Sequence, residues 1–334
     1  IDEWHTVLTA FKEEKGATAP YTFEYTNNQY QDANPFAYAF ETNYSFYVGD
    51  DGKVHFGAAE ENFKNYLETM AQWYAEGLID PDIATMGNDQ VSAKITNGNA
   101  GAAMGQAGSR MGTWITAARV NDPEFTLVAA PVPTLTEGER AEYGYTENQY
   151  SGRASVAITT SCEDVERAAR LMDYAYGDQG HMLFNFGVEG ESYEMVDGYP
   201  TYTDWVMNNP DGWAVSQAMS AYIRGNYNGP FDQDIRYLEQ YYTMDEQKET
   251  PQVWGDHNGK AHRLPPVTPT TEESTELASI TNELNTYRDE MILKFIFGDE
   301  SLDNFDEYVQ NLENMGLSRA LEIQNAALER YNAR

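Results

Sequence analysis

Residues 94–133 constrain the fold most. This stretch has the pattern of a helix end, a strand of small residues at 101–104, a glycine-punctuated loop and a second helix. Small residues in a strand let another backbone or a ligand approach closely, and open α/β sheets place ligands where a strand leads into a helix. The stretch therefore predicts an α/β fold with either a binding loop or a tight corner whose tryptophan lies in the core. The side chains concerned are Gln106, Ser109, Arg110 and Trp114.

The charge balance excludes several classes of partner. The 334 residues carry 21 Lys and Arg against 54 Asp and Glu, which gives a net charge of −33. Nucleic-acid binding needs a basic footprint, and adhesion to anionic membranes needs basic clusters, so we expect neither. The acidity is typical of a solvated surface. The length suffices for two domains of roughly 150 residues each.

The chain start and the cysteine content bear on the compartment. Cys162 is the only cysteine, so no internal disulfide forms, and its position at a helix start favours a buried or capping-turn residue over a nucleophile. The sequence has no initiator methionine, signal segment or lipid-attachment cysteine, and residues 2–15 begin directly as an amphipathic helix. We therefore expect that an upstream segment is absent from this sequence.

Hydrophobic periodicity predicts the main elements. Helical patterns occupy residues 2–15, 63–74, 89–95, 165–175, 277–295, 301–315 and 317–331, with shorter patches at 213–224 and 232–242. A hairpin is predicted between residues 44–47 and 54–56, and apolar strands at 125–133 and 154–158. We expect one face of the helix at 165–175 to be buried, namely Val165, Ala168, Ala169, Leu171, Met172 and Ala175.

Motifs for metal, cofactor and catalysis are absent from the sequence. The five histidines are scattered, and no zinc-type spacing of histidines or cysteines occurs. The sequence also lacks a nucleophile elbow, a phosphate loop and a dinucleotide fingerprint. We expect no metal, no cofactor and no catalytic residue. Glu189 and Glu191 are the best-placed pair of acids, and they keep a glycan-active enzyme open as an alternative.

The aromatic content favours a carbohydrate-like ligand. The chain has 24 Tyr and 6 Trp, many of them in segments with the composition of loops. Aromatic rings stack on the apolar faces of sugars, while amide, carboxylate and guanidinium groups bond hydroxyls. For each residue alone, core or surface packing is the alternative. The candidate ligand contacts are Tyr30, Gln106, Arg110, Trp114, Asn148, Tyr150, Glu189, Trp213 and Trp254.

Several sequence segments, spread in order along nearly the whole chain, resemble those of one protein family. They are DEWHTVLTAFK, DGKVHFG, YLETMAQWYAEGLIDPD, AKITNGNAGAAMG, FTLVAAPVP, ASVAITTSCEDVERAARLMDY, FNFGVEGESYE with DGYPTYTD, and GLSRALEIQNAALERY. Each segment alone has little specificity. Together and in this order they resemble the extracellular solute-binding proteins of ABC importers, in particular the large lipoprotein type related to maltose-binding and alginate-binding proteins.

This resemblance implies a helix-rich α/β fold of the type II periplasmic-binding-protein kind, with a ligand cleft between two lobes. Residues 1–132 and 268–334 would form the second, C-terminal lobe. Residues 150–263 would be the remaining part of the first lobe, and 131–150 and 264–271 the crossings. The resemblance also implies that the loop at 105–114 faces the cleft, with Trp114 as an aromatic platform.

The sequence departs from the family pattern in two places. Relatives begin with a signal peptide, a lipidated cysteine and the first half of lobe one, none of which is matched here. Many relatives also carry a calcium loop of the D-x-N-x-D-G kind after the first matched helix, where this chain has EEKGAT at residues 13–18. Because these residues cannot supply the ligands, we predict that no calcium binds there.

The predicted function is therefore capture of an oligosaccharide and its delivery to ABC permease subunits by hinge closure. The protein is expected to be a monomer, extracellular at the cell surface or periplasmic, and lipid-anchored in its precursor. Trp114 would stack on the sugar, while Gln106, Arg110, Asn148 and Glu189 would bond its hydroxyls. Two alternatives remain: a receptor for a peptide or other polar solute, and a glycan-active enzyme or surface glycan-binding module.

Overall fold

A computed structural model describes residues 1–25, 33–146, 156–213, 215–223 and 231–334. The chain divides into two compact units. Unit 1 comprises Ile1–Thr146 with Glu249–Arg334, and unit 2 comprises Glu147–Lys248. The lobe and crossing boundaries that the family resemblance implies, at residues 132, 150, 263 and 268, stay a prediction.

The described ranges are rich in helix. The helices are α1 (Asp2–Glu13), α2 (Pro35–Ala39), α3 (Glu61–Ala75), α4 (Asn88–Thr96), α5 (Gly112–Ala118), α6 (Val165–Tyr174), α7 (Asp178–Phe186), α8 (Asp204–Met207), α9 (Val215–Met219), α10 (Ile235–Tyr241), α11 (Asp245–Trp254), α12 (Thr271–Phe297), α13 (Phe305–Asn314) and α14 (Leu317–Asn332). The strands are β1 (Tyr21–Thr22), β2 (Phe46–Val48), β3 (Val54–Phe56), β4 (Ala102–Ala103), β5 (Tyr193–Val196) and β6 (Tyr199–Tyr202). No helix among these residues is long and apolar enough to cross a bilayer.

Local signals in the sequence explain where the main helices end. A capping box formed by Thr270 and Glu273 starts α12, and Gly298 ends it in the left-handed conformation with φ 77°. Gly77, with φ 67°, follows the end of α3 in the same way. The helices predicted in these two regions are confirmed, and so is the hairpin, in which β2 pairs antiparallel with β3.

The core of unit 1 is largely aromatic. Phe36 packs edge-on against Trp73, with ring centroids 5.1 Å apart, and Tyr44 packs in the same way on Phe63 at 5.0 Å. The hydroxyls of Tyr44 and Tyr66 are 2.6 Å apart, so these buried polar atoms satisfy each other. Each such side chain contributes about 1.5–3 kcal/mol by leaving water, and α3 presents several of them along one face.

A short parallel sheet carries the small-residue strand. β1 pairs in parallel with β4, Tyr21 opposite Ala102, and Ile79 bridges to Tyr21 in parallel on its other side. Gly101 has to be small, because a Cβ there would lie 2.3 Å from the ring of Phe11. The sequence predicted that another backbone or a ligand would approach this strand, whereas the group that approaches Gly101 is a side chain of α1.

Two predicted strands are wrong in this structure. Residues 125–133 and 156–158 are not in any sheet of the described chain, and residues 154–155 lie outside it. The burial predicted for one face of α6 is also wrong, because no residue of that helix is buried against the described residues. Ala175, just beyond its end, is buried. A strand needs a neighbouring strand to pair with, and an amphipathic face needs a surface to pack on. Phe125 and Leu127 pack against the core of unit 1 without a pairing strand, whereas α6 has no buried residue.

Unit 2 has its own small core around the β5–β6 hairpin. Asp234 caps α10 and accepts hydrogen bonds from His181 at 2.9 Å and from the guanidinium of Arg236. Burial alone would raise the pKa of Asp234, but these hydrogen bonds outweigh it and lower the pKa well below its usual range. The carboxylate is therefore ionised at neutral pH. The apolar core residues are Phe186, Tyr193, Tyr202, Val206, Met219, Ile223 and Tyr237.

A buried carboxylate joins the elements around the parallel sheet. Asp80 is 0% exposed and accepts hydrogen bonds from the Thr22 hydroxyl at 2.7 Å, from the Lys94 ammonium at 2.7 Å and from the Asp82 backbone at 3.0 Å. Lys94 also bonds the carboxylate of Asp82 at 2.9 Å, but that side chain is 63% exposed. The two acids share one lysine and differ in burial.

We predict that Asp80→Asn lowers the free energy of unfolding by about 3 kcal/mol, since it removes the buried negative charge that pairs with Lys94 and turns one of the two acceptor oxygens into an NH2 donor. Asp82→Asn, as the matched control, is expected to cost less than about 1 kcal/mol. Urea unfolding followed by circular dichroism measures both. Equal effects of the two substitutions would contradict the role given to Asp80.

Candidate functional site

The carboxyl ends of β1 and β4 form the candidate site of unit 1. Because the strands are parallel, the residues after Thr22 and after Ala103 emerge at the same edge of the sheet, which is where α/β sheets bind ligands. Glu24 follows β1, and Arg110 lies in a π-helical turn, Ala107–Met111, that follows β4. The Nη2 of Arg110 donates to Oε2 of Glu24 over 2.6 Å, and both side chains are largely buried. The pair fixes a guanidinium and a carboxylate at this edge.

Gln106 precedes the π-helical turn and is half-buried. Its Oε1 accepts a hydrogen bond from the hydroxyl of Ser109 at 2.9 Å, and Ser109 is exposed. Single π-helical turns are rare and frequently occur at functional sites. Gln106 and Arg110 are thus brought together here, as the sequence predicted, by a loop that presents polar groups next to the sheet.

Trp114 lies on the same segment, but its side chain faces inward. It is only 4% exposed, and its Nε1 donates to the hydroxyl of Ser92 over 2.8 Å. Its ring also packs on Gly105, where a Cβ would lie 2.8 Å from the indole. In this structure the indole exposes little surface. The stacking role stays a prediction.

A small cavity of about 170 Å³ is a second polar feature of unit 1. Among its lining residues, the ring of Tyr143 stacks on His262 with centroids 4.0 Å apart, and Nδ1 of His262 is 3.1 Å from the Val48 carbonyl. Burial raises the pKa of Tyr143 to about 12, so its phenol is protonated at neutral pH. These residues were not among the sequence-based candidates. The clustered tyrosines of residues 134–153 were the available signal.

The other predicted contacts are dispersed. Tyr30, Asn148 and Tyr150 lie outside the described residues. Glu189 and Trp213 are exposed in unit 2, where Trp213 packs edge-on against Trp205 at 5.9 Å. Trp254 is half-buried at the end of α11. The binding roles given to these residues stay predictions.

The described residues contain no group of three or more His, Cys, Asp and Glu side chains that could hold a metal ion. At the end of α1, Gly16 adopts φ 72° and Ala17 is buried, so part of the segment at residues 13–18 turns into the core. The prediction that no calcium binds this segment stays a prediction.

Comparison with solved structures identifies the fold of this chain. No family model matches the chain. The structure of the alginate-binding protein AlgQ2 without calcium ion matches 98% of this chain with a TM-score of 0.73 and 24% identity, and 68% of that chain is covered. Substrate-binding protein FusA of Streptococcus pneumoniae, solved with kestose, matches 99% with a TM-score of 0.70 and 20% identity, again over 68% of its length. This chain has the fold of the extracellular solute-binding proteins of ABC transporters.

Two curated sequences are also similar to this chain. Lipoprotein LipO of Bacillus subtilis is 23% identical over 63% of the chain, and FusA, a fructooligosaccharide ABC transporter substrate-binding protein, is 22% identical over 86%. The chain spans about half the length of these relatives, 43% of LipO and 52% of FusA. The resemblance to solute-binding proteins drawn from the sequence motifs is thus confirmed.

A double-mutant cycle tests the ion pair formed by Glu24 and Arg110. We predict that Glu24→Ala and Arg110→Ala together cost less than the sum of the single changes, with a coupling of about 2 kcal/mol, because each partner alone would leave a largely buried charge. The readout is the free energy of unfolding in urea.

The matched control is the pair of Arg319 and Glu276, which are joined at 2.9 Å but are almost half exposed. Solvent screening limits the coupling of such a pair to less than about 1 kcal/mol. If the two cycles give the same coupling energy, Glu24 and Arg110 do not form a preorganised ion pair.

Proposed function

We propose that the chain is the ligand-binding part of an extracellular receptor that captures an oligosaccharide and delivers it to the permease of an ABC transporter. The observation that carries this proposal is a fold match over 98–99% of the chain to three proteins named for different carbohydrates. They are AlgQ2, FusA with kestose, and an HMO-binding protein of Bifidobacterium longum infantis, which has a TM-score of 0.68, 15% identity and 69% of its length covered.

The candidate site offers groups suited to sugar hydroxyls. Gln106 presents an amide next to the sheet, and the ion pair holds Arg110 and Glu24 in place before any ligand arrives. A few fixed polar groups of this kind set the orientation of a bound ligand. In this proposal Trp114 keeps Gly105 and the π-helical turn in position. Contacts from Tyr30, Asn148, Tyr150, Glu189, Trp213 and Trp254 complete the proposed set.

The proposed mechanism is binding coupled to closure, with no chemical change in the ligand. A ligand shifts a conformational equilibrium only by its difference in affinity for the two states. Contacts made only in the closed form therefore favour closure, and the permease recognises that form. The similarity to lipoprotein LipO supports a location outside the cell with lipid anchoring of the whole protein, which we propose acts as a monomer.

A receptor for a cationic peptide is the second candidate. It is favoured by the net charge of −33, which attracts cations over long distances. Steering of this kind weakens with added salt, whereas hydrogen bonding to neutral sugar hydroxyls does not depend on it. The two candidates therefore differ in the salt dependence of binding.

A thermal-shift screen of the 334-residue chain tests the proposal. The panel holds fructooligosaccharides, alginate oligosaccharides and HMO preparations beside amino acids and basic peptides. A ligand that binds only the folded state stabilises it by about 2.7 kcal/mol at 100 times its Kd. We expect a shift with one class of oligosaccharide, and for a neutral oligosaccharide the shift persists in high salt. A shift with basic peptides alone would support the second candidate, and no shift at all would contradict both.

We predict that Gln106→Ala weakens binding of the stabilising oligosaccharide about tenfold, because loss of one or two hydrogen bonds costs about 1–1.5 kcal/mol. Isothermal titration calorimetry measures the change. Gln310→Ala is the matched control, since Gln310 is an exposed glutamine of α13 in the same unit. An affinity unaffected by Gln106→Ala would remove this residue from the site.

A further inference from the structure

The small cavity of unit 1 is built where three segments of the chain meet. Its walls come from residues 43–46, which lead into β2, from residues 143–146 and from residues 259–264. Its volume of about 170 Å³ is enough for one six-membered ring, since a cavity of about 150 Å³ takes up a benzene molecule. Tyr145 on its wall is 41% exposed, so the cavity opens to solvent and the substituents of a ring can extend outward.

Close backbone packing holds two of these walls together. A Cβ at Gly259 would lie 2.3 Å from the carbonyl oxygen of Gly144, so both segments have to be small where they touch. His257 joins the same two segments. Its Nδ1 accepts a hydrogen bond from the Gly259 backbone at 3.0 Å, and its Nε2 therefore carries the proton that it donates to the carbonyl of Tyr145 at 3.1 Å. The walls are thus in place before a ligand arrives, which lowers the cost of binding.

Several polar groups on the walls have no partner in the described chain. The hydroxyl oxygen of Thr146 is buried and has no hydrogen-bond partner. Oδ1 of Asn43 accepts from the backbone of Ser45, but the amide nitrogen of Asn43 and the hydroxyl of Ser45 make no hydrogen bond among the described residues. Buried polar groups are normally paired, and an unpaired one calls for an explanation. A ligand with hydroxyl groups would pair with all three.

The charge on the walls is opposite to that of the whole chain. The chain has 54 acidic residues against 21 basic ones, yet none of the described residues that line the cavity is Asp or Glu, and Arg263 is among them. Burial raises the pKa of Tyr143 to about 12, so its phenol adds no negative charge at neutral pH. Asp50 lies 4.0 Å from His262, but its side chain is 98% exposed and is screened by water. The cavity therefore favours an anion, and a guanidinium pairs best with a planar group such as a carboxylate.

We propose that this cavity, the unit 1 acid-sugar pocket, binds one sugar ring that carries a carboxylate group. The guanidinium of Arg263 pairs with the carboxylate, while Asn43, Ser45 and Thr146 bond the ring hydroxyls. The ring belongs either to a free acidic monosaccharide or to the end of an acidic glycan. None of these residues belongs to the edge formed by β1 and β4, so the proposal does not rest on oligosaccharide capture at that edge.

Isothermal titration calorimetry of the 334-residue chain tests the proposal. The probes are glucuronate, galacturonate and mannuronate, a disaccharide ending in each of them, and glucose, galactose and mannose as matched rings without the carboxylate. We expect one of the acids, free or in its disaccharide, to bind at least about tenfold more tightly than its neutral match, and its affinity to fall with added salt. Tighter binding of the free acid would assign the pocket to a monosaccharide, and tighter binding of the disaccharide to the end of a glycan. Binding of none of the acids, or equal binding of the neutral sugars, would overturn the proposal.

Three variants locate the bound acid in the pocket. Thr146→Val removes the unpaired hydroxyl and is expected to weaken binding of the acid about tenfold. It should not lower the melting temperature, because the hydroxyl has no partner in the described fold. Arg263→Gln is expected to abolish the preference for the acid over its neutral match. Arg319→Gln, the control, removes the same charge from an exposed ion pair of unit 1 and should leave binding unchanged. An affinity for the acid that survives both Thr146→Val and Arg263→Gln would overturn the proposal.

Discussion

A buried carboxylate determines the geometry on which the candidate site depends. Asp80 bonds Thr22 of β1 and Lys94 of α4, and its own backbone donates to the carbonyl of Tyr21. These bonds hold β1 beside the segment at Ile79, and β4 then pairs with the other edge of β1. The alignment brings the residues after both strands to one edge, where Glu24 meets Arg110.

Elements set by local signals could be predicted from the sequence, and elements set by distant partners could not. Gly77 and Gly298 end helices because they adopt a left-handed conformation that other residues rarely take. The segments at 125–133 and 156–158 have the composition of strands, but a strand exists only with a neighbour to pair with. The burial of α6 failed as a prediction for the same reason.

The candidate site was predicted in part. The loop after β4 was recognised from glycine, alanine and polar residues in sequence, and Gln106 and Arg110 do lie together there. Glu24 was missed because 86 residues separate it from Arg110, and only the pairing of β1 with β4 joins them. For Trp114 the position in the loop could be predicted, but the direction in which its side chain faces could not. A tryptophan on a short helix can face a ligand or the core, and the hydrogen bond to Ser92 that fixes it inward is not visible in a sequence pattern.

We propose that this fold binds an oligosaccharide at the carboxyl ends of β1 and β4. A crystal structure of the chain with the oligosaccharide that stabilises it most tests this claim directly. We predict sugar hydroxyls within about 3 Å of the Gln106 amide and of the Glu24–Arg110 pair. A sugar bound away from this edge of the sheet, with Gln106 left to solvent, would contradict the claim.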